Sequence, residues 1–156
     1  MAAMIEHGLY YGGAWHAPIS DTFRPSINPA DGSYIALVSK AGKEDVDRAV
    51  LAAVTASRVW RDVLPLERAR LLREMAAIIR KNHAELARLD ALDCGNPIRE
   101  LIGDAQVAAA LIEYFAGLVT EMKGASIPVG PDAVNFSVRQ PFGVVAHILA
   151  FNHPFL

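Results

Sequence analysis

The chain carries one cysteine in 156 residues, which excludes an internal disulfide framework. A lone thiol, Cys94, fits a reducing, cytoplasmic compartment. Net charge is also scarce: −2, with a pI near 6.2, gives no electrostatic footprint for nucleic acid or anionic lipid. No G-x-G-x-x-G occurs anywhere, so the sequence offers no glycine cradle of that kind for phosphate. The histidines at 7, 16, 83, 147 and 153 lack metal-ligand spacing, and no metal is expected. No apolar run reaches membrane-span length, and no membrane partner is expected. Met1–Tyr11 carries Glu6 and lacks a basic start and a long apolar centre, so no secretory leader is expected there.

What is abundant is apolar surface. The chain is 53% hydrophobic with a mean hydropathy of +0.23, high for a single domain of this length. That predicts apolar faces meant for partners outside this chain. Leu9-Tyr10-Tyr11 and Ala14-Trp15-His16 flank Gly12-Gly13 and predict a β-hairpin; a phosphate loop there has little support. Asn28-Pro29-Ala30-Asp31-Gly32 is a turn by its chemistry, and Tyr34–Val38 a short strand after it.

From Lys43 the period becomes helical. Val46, Ala49, Val50, Ala53, Ser57 and Trp60 share one face, with Glu44 and Asp45 in the first turn. Pro65 opens a second helix with the stripe Leu71, Leu72, Met75, Ile78 and Ile79. A third run, Glu85 to Cys94, faces Leu86, Leu89 and Leu92 inward and stops at Gly95. Pro97 opens a fourth, to about Lys123, burying Leu101, Val107, Leu111, Phe115, Leu118 and Met122. Glu67 and Glu74 interleave with Arg68, Arg70 and Arg73, which predicts a solvated face with intrahelical pairs, not a basic patch. Asn135 to Gln140 alternates as a half-exposed strand does.

Val144 to Ala150 is a nearly continuous, β-branched apolar run and predicts a strand buried on both faces of a parallel sheet; a buried helix segment is the rival. Function in such sheets lies just past the strand's carboxyl end, here Phe151-Asn152-His153-Pro154. Asn152 has two N–H donors and no charge, so it can hold an oxyanion without protonating it. Taken alone, it is equally a loop-turning residue.

The run Gln140-Pro141-Phe142-Gly143-Val144-Val145 through Asn152-His153-Pro154-Phe155 resembles the P-x-G-V-V…P-W-N-x-P segment of the NAD(P)-dependent aldehyde dehydrogenase superfamily. The hairpin, the N-P-x-D-G turn, and the E-R-A-R-L-L and L-D-C-G-N-P-I stretches extend the resemblance over nearly the whole chain, in order. It implies an α/β fold: an N-terminal hairpin, a layer of about four helices, and the start of an open, Rossmann-like parallel sheet, incomplete. Residues 1–133 would be the hairpin and helical layer of the cofactor domain, 134–142 a strand of the oligomerisation arm, and 143–156 the first sheet strand with the oxyanion loop. The resemblance implies NAD or NADP as cofactor, a small-molecule aldehyde as substrate, and a homo-oligomer, dimer or tetramer. It makes Asn152 the oxyanion donor and lays Ile148, Leu149, Ala150, Phe151 and Asn152 along the cofactor. A cysteine thiolate would attack the aldehyde, hydride would pass to the nicotinamide, and a glutamate-activated water would hydrolyse the thioester.

Two positions depart from the pattern: Phe151 replaces the usual tryptophan and Ala150 the usual proline, which loosens the loop but keeps an apolar wall. The family's nucleophile, general base, ribose-contacting lysine and glycine motif would lie past Leu156, so these residues alone are expected to be inactive. Cys94 stands at a predicted helix end beside Asp93, where a thiolate is disfavoured, and reads as structural. His153 is a poor candidate for a general base, and Asp90 with Asp93 reads as a solvated helix end. The alternative function is a non-catalytic helical interaction module derived from a dehydrogenase, although such a module has no need of an oxyanion amide.

Overall fold

The computed structural model describes residues 6–156, so Met1–Ile5 of the segment Met1–Tyr11, where no leader is expected, fall outside the described residues. Seven short strands and three long helices follow in the order β1 Glu6–His7, β2 Leu9–Tyr11, β3 Ala14–His16, β4 Phe23–Ile27, β5 Tyr34–Ser39, α1 Lys43–Asp62, α2 Pro65–Cys94, α3 Ile98–Gly117, β6 Ser126–Ile127 and β7 Asn135–Phe136. Gly12 (φ 60°) and Gly13 (φ 81°) close the β2–β3 hairpin as two successive left-handed residues, the geometry of a tight hairpin turn. In the three-stranded sheet β5 is central, with β1 parallel on one side and β4 antiparallel on the other. The β4–β5 turn is held by Asn28, whose backbone carbonyl accepts from Gly32 N–H at 2.8 Å and whose side chain accepts from Ala30 N–H at 3.0 Å.

Asp45 fixes the entry to α1. Its carboxylate accepts from Gly42 N–H at 2.8 Å and from Ile19 N–H at 3.1 Å, so a buried charge is spent on two orphan donors. α2 begins at Pro65 and ends where Gly95 turns left-handed (φ 81°) and donates to Ala91 O at 3.0 Å. The second and third helices expected from the sequence are one helix of 30 residues. Lys81-Asn82-His83-Ala84 contains no breaker, and Asn82 and His83 bond back to the carbonyls of Ile78 and Arg80 within the turn. The fourth expected helix is α3, tightened at its end into the 3-10 turn Leu118–Glu121.

α2 and α3 pack as an αα-hairpin largely around alanines; of the expected stripes Ile79 and Leu101 are buried and Leu86 packs against the core. Ala69, Ala76, Ile79 and Ala87 of α2 are buried, as are Leu101, Ala105, Ala108, Ala109 and Ala116 of α3. Leu71, Met75, Ile78, Val107, Leu111, Phe115, Leu118 and Met122 are exposed, as are Val46, Val50 and Trp60 of α1. Alanine lets the two backbones approach closely, so the larger aliphatic side chains are turned to the outer faces. Arg80 ties the pair together, donating to Glu113 at 2.6 Å and Gln106 at 2.9 Å. The expected charged face on α2 is present: Arg70 pairs with both Glu67 and Glu74. Ile98–Glu121 is long and apolar enough to cross a membrane by length and composition alone, contrary to the expectation that no segment reaches that length; its alanine stripe lies on α2.

Every residue from Thr120 to His153 is exposed. Only two residues of the expected strand 135–140 pair, as β7 against β6. The expected buried strand over Val144 to Ala150 is also corrected: no residue of it joins a sheet, and Ile148 is 93% exposed. A strand buried on both faces needs neighbouring strands and covering helices, and none stands beside it among the described residues. The total accessible surface, 11873 Å², compares with about 7,700 Å² for a compact chain of this mass. Exposed large apolar residues, among them Val134, Phe142, Ile148 and Phe151, contribute to that surface.

Candidate active-site loop

The last six residues return to the α2–α3 junction. Pro154 keeps His153 out of the helical region, and Leu156 N–H donates to His153 O at 3.2 Å, closing a turn. Phe155 is half-buried against the cluster Ala76, Ile79 and Ala109, with Leu86 and Ile112 beside it. That single apolar anchor brings the loop onto the helix pair.

Two polar contacts accompany it. Asn96, between Gly95 and Pro97 in the α2–α3 turn, donates from Nδ2 to the backbone carbonyl of Asn152 at 2.5 Å. The His153 Nδ1–H donates to Asp104 Oδ2 at 2.6 Å, with the Asp104 side chain the more buried partner. The Asp90 carboxyl is half-buried close by. Burial pushes the Asp90 carboxyl above the ordinary carboxylate range; the nearby Phe155 N–H opposes this, the charges of Asp93 and Asp104 add to it, and His153 opposes it again. Asp90 is therefore not part of a solvated helix end, whereas Asp93 is exposed and accepts from Ser26 Oγ at 2.7 Å.

Asn152 thus has a fixed backbone carbonyl and an exposed side chain. Ile148, Leu149, Ala150 and Phe151 lead up to it, all exposed, with Phe151 at 89%. Together they form an exposed apolar edge. Residues 144–156 contain no lysine, arginine or glycine, so this edge cannot cradle a phosphate. Cys94 is half-buried as the last residue of α2. A shallow groove of about 270 Å³ lies between Arg24–Ile27, Val38 and Asp93 and includes none of the loop residues.

Sequence reasoning missed Asn96 and Asp104 as partners of the loop. Asp104 carried a signal: it is the one acidic residue in the stretch Leu101–Leu111, next to the buried Ala105.

A sequence model of the aldehyde dehydrogenase family matches residues 15–156. The chain is 40% identical over 159 aligned positions to the aldehyde dehydrogenase tropH of Talaromyces stipitatus, covering 99% of this chain and 31% of that protein. It superposes with a TM-score of 0.92 on a Burkholderia cenocepacia protein solved as an aldehyde dehydrogenase, at 36% identity over 97% of this chain and 31% of that one. PnpE, solved in complex with nicotinamide adenine dinucleotide, gives a TM-score of 0.80 at 35% identity, over 83% of this chain and 27% of its own. The chain therefore spans about a third of the length of the relatives it matches. With its sequence matched almost throughout and its backbone superposing closely, the chain belongs to the aldehyde dehydrogenase family as an N-terminal portion of that fold.

Proposed function

We propose that this chain is the N-terminal portion of an enzyme that oxidises an aldehyde to a carboxylic acid with NAD or NADP, and that Asn152 is its oxyanion donor. The observation that carries the reading is an exposed asparagine amide on a loop whose backbone is held by Asn96, at the end of an apolar edge. When a thiolate adds to an aldehyde, the C–S bond forms and the carbonyl electron pair moves onto oxygen. The Asn152 side-chain N–H meets that charge with a hydrogen bond worth more in the transition state than in the ground state. The nicotinamide cofactor, when bound, supplies the hydride acceptor. Ile148, Leu149, Ala150 and Phe151 line one side of it and exclude water.

Cys94 does not serve as the nucleophile on this reading: it is half-buried as the last residue of α2 and stands outside the loop. On this reading the 156 residues alone turn over no aldehyde, and the intact mass of the protein from its source is the measurement that checks it. The run 134–142 belongs to an arm that contacts a second subunit, and the lone thiol fits a reducing compartment. The test is aldehyde-dependent reduction of NAD or NADP by the native-length protein. Cys94→Ser should retain it and Asn152→Ala should lose it. A native mass of 16.9 kDa would favour the second reading, a non-catalytic module whose exposed α1 and α3 faces bind a partner.

A further inference from the structure

Resting on the reading of Asn152 as oxyanion donor, we propose that Asn96 and Asp104 are positioning residues that clamp the Asn152 loop from the α2–α3 turn, Asn96 through the Asn152 backbone carbonyl and Asp104 through the His153 ring. The two grips differ in kind. Asn96 holds the residue that acts on the substrate by its own backbone, so the loop cannot rotate that peptide without breaking a bond of 2.5 Å. Asp104 holds the next residue by its side chain, at 2.6 Å, from inside α3 between the buried Leu101 and Ala105. An Asn side chain placed one bond from a fixed carbonyl has only its own two torsions left to search, which reduces the freedom lost when it meets the oxyanion.

The clamp also answers the two departures in the loop. Ala150 and Phe151 stand where a stiffer proline and a larger tryptophan were expected, and both are exposed. Stiffness absent from the local sequence is supplied at long range, by contacts 56 and 49 residues apart. Phe155 among Ala76, Ile79 and Ala109 sets the depth of the loop, and the turn closed by Leu156 N–H on His153 O sets its orientation.

Two measurements test this. The first is amide hydrogen exchange over residues 151–156 in the native-length protein with and without Asn96→Ala or Asp104→Ala. The clamp predicts that either variant loses the protection of the Leu156 amide, which donates to His153 O, with helix protection unchanged; unchanged loop protection would overturn it. The second is a double-mutant cycle in kcat. Asn96→Ala should lower kcat about tenfold with an aldehyde KM within twofold of wild type, Asn96→Gln should recover part of the loss, and Asn96→Ala added to Asn152→Ala should cost nothing further. A silent Asn96→Ala beside a damaging Asn152→Ala would overturn the clamp and leave the function standing. A silent Asn152→Ala would overturn the function and the clamp's catalytic purpose together.

Discussion

Asn96 Nδ2 stands 2.5 Å from the carbonyl oxygen of Asn152, joining the turn between two helices to a loop 56 residues later. Neither residue is buried, so the contact is placed by what surrounds it: the left-handed Gly95 on one side and the anchored Phe155 on the other. The account of function depends on those supports being rigid, and each can be probed.

Gly95 is constrained twice. Its φ of 81° is left-handed, and a Cβ there would come within 2.8 Å of Pro29 Cγ. Gly13 has the same φ but open space around it. Gly13→Ala should cost about 1–2 kcal/mol from backbone strain alone, and Gly95→Ala clearly more, because the Pro29 ring must also move. Urea denaturation of both variants measures the difference; equal costs would show that the Pro29 contact is not felt.

Leu101 is the largest apolar side chain fully enclosed by the helix pair, 1% exposed among alanines. Leu101→Ala should lower stability by about 2–5 kcal/mol, since small neighbours on helix backbones cannot collapse into the space. Leu111→Ala, on the exposed side of the same helix, should change stability by less than about 0.5 kcal/mol. A comparable loss at both sites in the denaturation midpoint would contradict the alanine-lined core.

Asp90 gives a pH signature. Burial raises its carboxyl above 3.8, so the folded state holds its proton more tightly than the unfolded chain. Its contribution is most favourable below 3.8 and is lost as pH rises through the raised native value. Glu113 runs the other way: its bond to Arg80 lowers its carboxyl below 4.5, and that contribution is lost as pH falls through the native value. Asp90→Asn should therefore be the more stable protein at pH 7, with its advantage shrinking toward pH 3. Melting temperatures between those limits measure it, and an advantage that grew on acidification would be the wrong sign.

Much of the fold was legible because its punctuation is local. Gly12-Gly13, the Asn28–Gly32 turn, Pro65 and Gly95 each dictate a backbone geometry from their own chemistry, and each does so here. β4 was not legible: Pro25 sits inside it, which argues against a strand unless the strand is an edge, and β4 is one. The core was read only in part, Ile79 and Leu101 being buried as expected, because hydrophobic periodicity weights leucine over alanine, whereas close helix packing selects alanine. The apolar run after Gly143 has the composition of a central strand, but composition cannot supply the neighbours that make it one. Asn152 could be singled out from its place in the sequence, and Asp104 stood out as a lone acid in an apolar stretch; the role of Asn96 was hidden, because it arises only when distant segments meet.

The most direct test of the account is the single-turnover rate of aldehyde-dependent hydride transfer in the native-length protein with Asn152→Ala. Loss of an oxyanion donor predicts a fall of about 10²–10³-fold, with cofactor affinity and melting temperature nearly unchanged. A rate within a few-fold of wild type, in a variant shown to be folded, would contradict the assignment of Asn152 and return this loop to a purely structural role.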